Sequence, residues 1–337
     1  MKKKCKLDAN ESPYPLPEKI RRKIQKGLGE FQFNRYPDSK AEILKKKIAD
    51  YTNLKKEKIL VGNGSDELLL MIMTAILSPD KKAVISQPTF GMYSFYADMI
   101  GGGEYELNLK NDFSINWPEV KKYSKKDDTE LIVFCSPNNP TGKLIDSKKL
   151  EEFIKSTDKY VLLDEAYYEF SGKSLINFVK KYDNLIVTRT FSKAFAIASL
   201  RIGYLAAQKN IINKLEDIRS PYNSDRFSQE TACLILDEVD SFKEQWEIIK
   251  GNREKLYNEL KNMNGIKPYK SQANFILFNA EKTEKEIYLG LSAKKVNIRF
   301  LENLALLGDS LRVTVGTERE NERFLSNLKK ILNEKMG

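Results

Sequence analysis

Of the residues in this chain, a lysine that follows a short apolar segment is the strongest candidate for a catalytic group. Residues 185–187 (Leu-Ile-Val) have the character of a buried strand, and the polar residues Thr190, Ser192 and Lys193 follow it. Lysine at the end of such a strand lies where an open α/β sheet forms a crevice. Two hydroxyls and Arg201, eight residues further on, are groups that can hold a phosphate. An amine beside a phosphate site favours a Schiff base with pyridoxal phosphate (PLP), although a surface lysine on a loop also accounts for these residues.

An acidic residue ends another apolar segment. Asp164 comes directly after residues 160–163 (Tyr-Val-Leu-Leu), which predict a buried strand. A buried carboxylate costs free energy unless it has a partner, and a protonated pyridine nitrogen would be one. Tyr167 follows three residues later and could reach a hydroxyl on the same ring. A helix cap or a buried salt bridge explains Asp164 equally well.

A glycine-rich turn connects a third strand to a helix. Residues 59–61 predict a short strand, and Gly64 and Ser65 lie in the turn before an apolar helix over 66–77. Free backbone N–H groups and the positive end of the helix dipole meet at such a turn, which makes it a potential anion site. The alternative is that Ser65 or Asp66 is a plain helix cap.

Four more residues lie where strands end or where a charge needs a partner. Phe90 could stack on a flat ring or belong to the core. Asn139 lies in a turn made rigid by two prolines, which presents its amide at a strand end. Arg299 and Arg312 fall on or beside strands predicted over 296–299 and 311–315. An arginine in an apolar strand needs an anionic partner, either a ligand or a structural salt bridge.

The sequence pattern alone does not decide the role of three residues near the start of the chain. Asn10 and Tyr14 lie in a proline-rich segment over residues 5–17, which either lines a site or forms a surface arm. Tyr36 lies in a turn before a helix and is expected to pack.

Composition excludes several classes of protein. The chain has 337 residues, a net charge of +10 and no histidine, which rules out Ser-His-Asp catalysis and histidine-ligated metals, and we predict no metal site. The three cysteines are far apart and indicate free thiols in a reducing compartment. No segment reaches the length of a membrane span, and no nucleic-acid motif is present, so we expect a cytoplasmic protein without membrane or nucleic-acid partners.

The order of predicted elements indicates the fold. Strands and helices alternate from about residue 59 to residue 207, which predicts an α/β fold with a largely parallel sheet. Long helices and a smaller α+β unit follow. The expected division is an N-terminal arm and part of the small domain over 1–30, a large cofactor-binding domain over 31–240 and a small domain over 241–337.

Several motifs together resemble one family. They are A-N-E-S-P-Y (9–14), R-Y-P (35–37), G-N-G-S-D-E (62–67), P-T-F-G-M-Y (88–93), S-P-N-N-P-T-G (136–142), D-E-A-Y-Y-E-F (164–170), T-F-S-K-A-F (190–195), L-R-I-G-Y (200–204), A-N-F-I-L (273–277) and L-R-V-T-V-G-T (311–317). The chain is similar over nearly its whole length to the fold-type I PLP-dependent aminotransferases. Within that group it resembles the histidinol-phosphate aminotransferase family.

The resemblance implies how the cofactor is held. Lys193 would form the Schiff base and move the proton, and Asp164 would keep the pyridine nitrogen protonated. Asn139 and Tyr167 would bond the ring hydroxyl, and Phe90 would stack on the ring. The residues implied for the cofactor phosphate are Gly64, Ser65, Thr190, Ser192, Arg201 and, from the other subunit of a homodimer, Tyr36.

The resemblance also implies the substrates. Arg312 would bind the carboxylate of L-glutamate, and Arg299 with Arg312 would take up the phosphate of the other substrate. Asn223, together with Asn10 and Tyr14, would line the substrate pocket. The implied reaction moves an amino group between L-glutamate and imidazole acetol phosphate, giving L-histidinol phosphate and 2-oxoglutarate, in histidine biosynthesis.

Departures from the family pattern leave other substrates open. Phe90 stands where many members have tyrosine, and the charged residues Asp225 and Arg226 adjoin the substrate loop. The alternatives are a threonine-phosphate decarboxylase and an aminotransferase for another phosphorylated or aromatic substrate. A PLP-binding regulator of transcription is disfavoured because the chain lacks a DNA-binding motif and carries both substrate-type arginines.

Overall fold

The computed structural model describes residues 4–281 and 283–333. The chain begins with a two-residue strand, β1 (Cys5–Lys6), and two helices, α1 (Glu18–Leu28) and α2 (Glu42–Thr52). Helix α1 begins with an acidic residue and has a lysine in its last turn, which suits the helix dipole. Its bounds are those that the sequence predicts.

A seven-stranded sheet forms the centre of the larger part of the molecule. Its strands are β2 (Ile59–Asn63), β3 (Lys82–Gln87), β4 (Glu104–Asn108), β5 (Thr129–Cys135), β6 (Tyr160–Asp164), β7 (Leu185–Thr190) and β8 (Ile202–Ala206). They are ordered β2-β8-β7-β6-β5-β3-β4. The pairs from β4 to β7 are parallel, whereas β8 is antiparallel to both of its neighbours. The expected α/β fold with a mainly parallel sheet is confirmed.

The antiparallel direction of β8 has a simple physical cause. Residues 191–201 connect β7 to β8 and contain only a single 3₁₀ turn, Ala198–Leu200. A parallel return needs a crossover of a dozen or more residues, usually an α-helix. The short connection therefore makes the chain turn back beside β7.

Helices cover both faces of this sheet. They are α3 (Gly64–Ile76), α4 (Met92–Met99), α5 (Trp117–Ser124), α6 (Ser147–Lys155), α7 (Tyr168–Ser171), α8 (Lys209–Glu216) and α9 (Arg226–Leu236). Successive strand residues point to opposite faces, so Ile132 and Val187 belong to one hydrophobic cluster while Leu131 and Ile186 belong to the other. Burial on both faces explains why the central strands are continuously apolar.

A smaller unit follows along the chain. Its elements are α10 (Asp240–Lys261), β9 (Ile266–Pro268), β10 (Phe275–Ala280), α11 (Glu284–Ala293), β11 (Val296–Asn297), β12 (Arg299–Leu304), β13 (Gly308–Thr314) and α12 (Glu318–Asn333). Strands β12, β13, β10 and β9 form an antiparallel sheet in that order. The single strand expected over 296–299 is wrong, because β11 pairs with β1 and only β12 joins the antiparallel sheet.

The segment after β1 crosses between the two sheets. Asn10 has a left-handed backbone conformation (φ 54°), and its amide donates to Thr314 Oγ1 at 2.9 Å. The Nδ2 of Asn274 donates to the carbonyl of Asn10 at 3.0 Å. The start of the chain is therefore fixed against the strands of the smaller sheet. Within the described ranges, no helix is both long and apolar enough to cross a membrane.

Candidate active site

A cleft of about 600 Å³ lies where the carboxyl ends of the parallel strands meet the smaller sheet. This is the edge at which open α/β sheets bind ligands. The N-terminus of α3, residues 8–11 and strands β12 and β13 supply the remaining walls. The predicted site residues that line it are Asn10, Ser65, Phe90, Asn139, Asp164, Tyr167, Thr190, Ser192, Lys193, Arg201, Arg299 and Arg312.

Lys193 lies in a tight turn after β7. The turn is held because the Ser192 amide donates to Thr190 Oγ1 at 3.1 Å. The Nζ of Lys193 donates to the carbonyl of Ala9 at 3.0 Å. Burial, with a further contribution from the positive charge of Arg312, lowers the pKa of Lys193 to about 8. About a tenth of this amine is therefore uncharged at pH 7, far more than for an ordinary lysine, and the neutral form is the one a nucleophile or base requires.

Asp164 ends β6 and is buried. Tyr93 donates to its Oδ2 at 2.7 Å, and the Ala166 amide donates to its Oδ1 at 3.0 Å. No lysine or arginine of the described residues forms an ion pair with it. Burial raises the pKa of Asp164 to about 6, although both hydrogen bonds oppose the shift. Such a carboxylate is suited to a cationic group that enters the cleft.

A buried ion pair supports the turn after Asp164. The Nε and Nη2 of Arg189 donate to Glu165 Oε2 at 3.0 and 2.8 Å, and both side chains are buried. Glu165 also accepts a hydrogen bond from the amide of Leu175 at 2.5 Å. These bonds fix the backbone between Asp164 and Tyr167 from the side opposite to the cleft.

The N-terminus of α3 and the Lys193 turn form a cradle of donors. Gly64 has a positive φ of 77°, and a Cβ there would lie 2.5 Å from Arg201 Nη2. Arg201 Nη1 donates to Ser192 Oγ at 3.2 Å. Arg201 Nη2 donates to Asp66 Oδ2 at 3.0 Å, so this exposed carboxylate neutralises part of the cradle's charge. Two hydroxyls, an arginine and a helix N-terminus are a typical set of groups for a phosphate.

Amide and phenol groups line the middle of the cleft. Asn10 Nδ2 donates to the hydroxyl of Tyr167 at 3.0 Å. Arg312 Nη1 donates to Asn139 Oδ1 at 2.5 Å, and its Nη2 donates to the carbonyl of Asp8 at 2.9 Å. Burial raises the pKa of Tyr167 to about 12, so the phenol stays protonated. The ring of Phe90 makes an edge contact with Tyr93, with centroids 5.6 Å apart.

Two arginines face each other across the antiparallel pair of β12 and β13. Arg299 and Arg312 are directly opposite in register, and both line the cleft. The Nε of Arg312 is buried without a hydrogen-bond partner in the structure. Burial, and then the charge of Arg299, lower the pKa of Arg312. Like charges opposite each other are destabilising, which an anion bound between them would relieve.

Four predicted site residues do not line the cleft, namely Gly64, Tyr14, Tyr36 and Asn223, and Gly64 lies beside it against Arg201. Tyr14 packs against the hydrophobic core. Tyr36 is 78% exposed and stacks on Tyr222, with ring centroids 4.4 Å apart. Asn223 donates to Glu67 Oε2 at 2.7 Å and accepts a hydrogen bond from Arg219 at 2.9 Å, so both ends of its amide have protein partners.

Sequence reasoning missed partners of the predicted residues. Tyr93 stands in the sequence only as the last residue of the P-T-F-G-M-Y motif, yet it donates a hydrogen bond to Asp164. Its position six residues after Gln87, at the end of β3, indicates only that it lies near the sheet edge. The carbonyls of Asp8 and Ala9 carry no side-chain signal, because backbone groups are the same in every residue.

The cleft as a whole has a definite chemical character. It joins a partly uncharged amine, a buried carboxylate without a cation and a cradle of phosphate-type donors. It also contains a pair of arginines that can take an anion. A flat, protonated heterocycle carrying a phosphate and an electrophilic carbon would satisfy the first three groups together. The arginines would remain for a second, anionic molecule.

A family model describes almost the whole chain. The model for aminotransferases of class I and II matches residues 2–328. The chain is 37% identical over 329 residues to a histidinol-phosphate aminotransferase of Caldanaerobacter subterraneus subsp. tengcongensis, covering 98% of this chain and 93% of that protein.

Solved structures have the same fold. A histidinol-phosphate aminotransferase from Clostridium acetobutylicum superimposes with a TM-score of 0.90 at 27% identity, covering 97% of this chain and 99% of that one. A histidinol-phosphate aminotransferase from Sinorhizobium meliloti, solved in complex with pyridoxal-5′-phosphate, gives a TM-score of 0.92 at 22% identity, covering 98% of this chain and 92% of that one. At that identity the second comparison shows the fold alone.

Proposed function

Because this chain belongs to the class I and II aminotransferase family, we propose that it is a PLP-dependent histidinol-phosphate transaminase. It would move an amino group between L-glutamate and imidazole acetol phosphate, giving 2-oxoglutarate and L-histidinol phosphate, in histidine biosynthesis. The observation that carries the proposal is the arginine pair, Arg299 opposite Arg312, in the same cleft as Lys193 and Asp164.

The residues present fit PLP. Asp164 is a buried carboxylate without a cationic partner among the described residues, which suits a protonated ring nitrogen. At Gly64 any side chain would collide with Arg201, so the glycine keeps the phosphate cradle open. Thr190, Ser192 and Arg201 would hold the phosphate with the backbone of Gly64 and Ser65. Asn139 and Tyr167 would bond the ring oxygen, and Phe90 would pack on the ring face.

The protein's own groups then have distinct tasks. When bound, the cofactor supplies an electron sink for the carbanion at the substrate's α-carbon. Lys193 Nζ takes the proton from that carbon and returns it, which its lowered pKa permits. Asp164 holds positive charge at the ring nitrogen. Tyr167, kept protonated by burial, donates to the ring oxygen.

The arginine pair would select the two substrates. Arg312 binds the carboxylate of L-glutamate in one half-reaction, and Arg299 and Arg312 bind the substrate phosphate in the other. A single donor set can serve both because each half-reaction brings one anion to the same place. Asn10 is positioned by Thr314 and Asn274 to contact substrate beside Tyr167. Tyr14 and Asn223 would take part only if the loops that carry them moved.

A homodimer with shared sites would complete the cleft. Phe33, Tyr36 and Tyr222 are large aromatic residues that are 74%, 78% and 45% exposed. Exposed aromatic groups near one another are typical of a surface that another molecule covers. In a dimer, Tyr36 would reach the cofactor phosphate of the partner subunit. Sedimentation or light scattering would test the mass, and Tyr36→Phe would test the contact through cofactor affinity.

The domain division and the compartment are also proposals. The ranges 1–30, 31–240 and 241–337 would be the arm, the large domain and the small domain, and their outermost residues, 1–3 and 334–337, lie outside the described residues. Cys5, Cys135 and Cys233 are free thiols, which supports a reducing compartment, the cytoplasm.

The first test mixes the purified, cofactor-loaded protein separately with L-glutamate and with L-histidinol phosphate. We expect each amine to change the absorbance of the bound cofactor, because the two half-reactions of a ping-pong transaminase run independently. A change with glutamate alone would refute the proposed second substrate. No change with either amine, or release of carbon dioxide from threonine phosphate, would refute the transaminase.

A further inference from the structure

A second cavity lies beside the active-site cleft. Its volume is about 370 Å³, within the range of roughly 300 to 1,000 Å³ typical of small-molecule sites. It opens between the ends of β3 and β5, the turn after β4 and the N-terminal part of α6. Thr89 and Cys135 line both cavities, and no other lining residue is common to the two.

The floor of this cavity is apolar and aromatic. Phe113, Val133 and Phe134 are buried, and Trp117 is half-buried with its ring centroid 5.5 Å from that of Phe134. Phe113 has a left-handed backbone conformation (φ 61°), in a turn where the amide of Lys110 donates to the carbonyl of Ser114 at 2.9 Å and the amide of Phe113 donates to the carbonyl of Lys110 at 2.7 Å. The turn directs an aromatic residue into the protein at a strained backbone position, which the surrounding structure must stabilise.

The mouth of the cavity is cationic. Lys110, Lys143 and Lys149 are exposed around it, together with Asp112 and Asp146. Both acids have partners within the protein: Asp146 caps α6, and Asp112 accepts hydrogen bonds from Ser114 and lies 3.7 Å from Lys143.

Two lysines at the mouth are available to bind an anionic ligand. Within residues 4–281 and 283–333, Lys110 and Lys149 form no ion pair. An anion at the mouth would therefore meet two lysine side chains that form no ion pair with a carboxylate of the described residues.

The wall shared with the active site joins two loops that hold active-site residues. Thr89 Oγ1 donates to Asn138 Oδ1 at 2.6 Å. Thr89 adjoins Phe90, and Asn138 adjoins Asn139, which accepts a hydrogen bond from Arg312. A molecule in the second cavity would contact Thr89 and Asn138 directly. It would therefore alter the hydrogen bond between these two side chains, which connects the two loops.

We propose that this cavity binds an aromatic carboxylate or sulfonate, with the ring on Phe113 and Trp117 and the anion at Lys110 and Lys149. The bound molecule acts on the active site through the Thr89–Asn138 wall. Rings of this kind bind by apolar burial and edge contacts, and the lysines give the site its preference for anions. The inference does not depend on the proposed reaction, since none of the substrates is required to occupy the cavity.

The test uses the cofactor-loaded protein and 8-anilinonaphthalene-1-sulfonate as a fluorescent probe. We expect saturable binding of one molecule per chain, with energy transfer from Trp117 to the probe. Trp117→Phe keeps an aromatic wall but removes the donor, so probe emission excited through tryptophan falls while directly excited emission remains. Trp246, the other tryptophan, packs under Ala194 near Lys193 and stays in this variant.

Charge variants locate the anion. Lys110→Glu with Lys149→Glu should raise the dissociation constant at least about tenfold at low salt, because two attractive charges become repulsive. Lys55→Glu with Lys209→Glu makes the same change in net charge at the opposite edge of the sheet, just before β2 and in α8, and should leave binding within about twofold. Equal weakening by both pairs, energy transfer that Trp117→Phe does not reduce, or no saturable binding would overturn the proposal.

A second readout tests the link to the active site. Naphthalene-1-sulfonate at saturation should change the visible circular dichroism of the bound cofactor in the wild type and in the Lys55/Lys209 variant. It should cause no change in the Lys110/Lys149 variant. Binding without any change in the cofactor signal would refute the coupling through the shared wall.

Discussion

Arg299 lies directly opposite Arg312 on neighbouring antiparallel strands, and neither guanidinium forms an ion pair within residues 4–281 and 283–333. The pair faces the cleft, and the charge of Arg299 contributes to lowering the pKa of Arg312. Two guanidinium groups so arranged destabilise the protein without a ligand and favour any anion that binds between them.

Arg299→Gln should therefore separate the two substrates. We expect the KM for L-histidinol phosphate to rise about 10- to 100-fold, the cost of one charge-assisted hydrogen bond, and the KM for L-glutamate to change less than about threefold. Steady-state kinetics with each substrate would measure this. Arg312→Gln is the matched variant, since it should weaken both substrates. Equal effects of the two variants on both substrates would contradict the assignment.

Lys193→Ala should abolish turnover. Loss of the amine removes both the nucleophile and the base, so we expect kcat to fall by roughly four orders of magnitude or more. The fold should be retained because the Lys193 side chain makes one hydrogen bond within the described part of the chain, to the carbonyl of Ala9. Lys173→Ala, at an exposed lysine, is the control. Substantial transamination in the Lys193 variant would defeat the proposed mechanism.

The pKa of Lys193 predicts how the protein takes up its cofactor. Only the neutral amine attacks the PLP aldehyde, and a pKa of about 8 implies that the neutral fraction rises about tenfold between pH 7 and pH 9. Stopped-flow absorbance of the cofactor-free protein mixed with PLP should follow this curve. Arg312→Gln removes a charge that lowers this pKa, so its curve should shift to higher pH. A rate independent of pH would contradict the lowered pKa.

Asp164 predicts a pH dependence of stability in the cofactor-free protein. Burial raises its pKa to about 6, whereas an unfolded chain has an aspartate pKa of about 3.9. The native state thus holds the proton more tightly, and its contribution to stability is present at low pH and lost as pH rises through 6. The free energy of unfolding should fall by about 1 kcal/mol from pH 5 to pH 7 in wild type relative to Asp164→Asn.

Urea unfolding at both pH values would measure this difference. Other groups with raised pKa values, such as Glu169, are the same in both proteins and cancel in the comparison. Parallel pH profiles for wild type and Asp164→Asn would show that Asp164 titrates normally.

Gly64→Ala should impair both stability and cofactor binding. The new Cβ would lie 2.5 Å from Arg201 Nη2 at a φ of 77°, so the arginine must move and the backbone is strained. We expect a loss of about 1–3 kcal/mol in unfolding free energy and weaker binding of PLP. Gly91→Ala is the control, since Gly91 lines the cleft but has ordinary backbone angles and open space where a Cβ would lie. Similar losses in both variants would refute the special role of Gly64.

The sequence predicts the groups of the cleft better than their contacts. Lys193 and Asp164 are recognisable because each follows an apolar strand, and parallel strands end at one edge. Which distant strands become neighbours is not encoded locally, so the pairing of β2 with β8 could not be predicted.

Partners provided by distant segments could not be predicted either. The bond from Tyr93 to Asp164 joins residues 71 positions apart, and the bond from Lys193 to Ala9 joins a side chain to a carbonyl that any residue would provide. Such contacts depend on how α4 and the N-terminal segment pack, which no periodicity in either segment specifies.

The pairing of β1 with β11, and of Asn10 with Thr314, has a consequence for synthesis on the ribosome. The wall of the cleft contributed by residues 8–11 is translated before the seven-stranded sheet, yet its partners in β11 and β13 are translated after it. While the chain grows, the seven-stranded sheet can assemble but its catalytic edge remains without the contacts that hold that wall. The nascent protein therefore cannot complete its active site until β13 has been made.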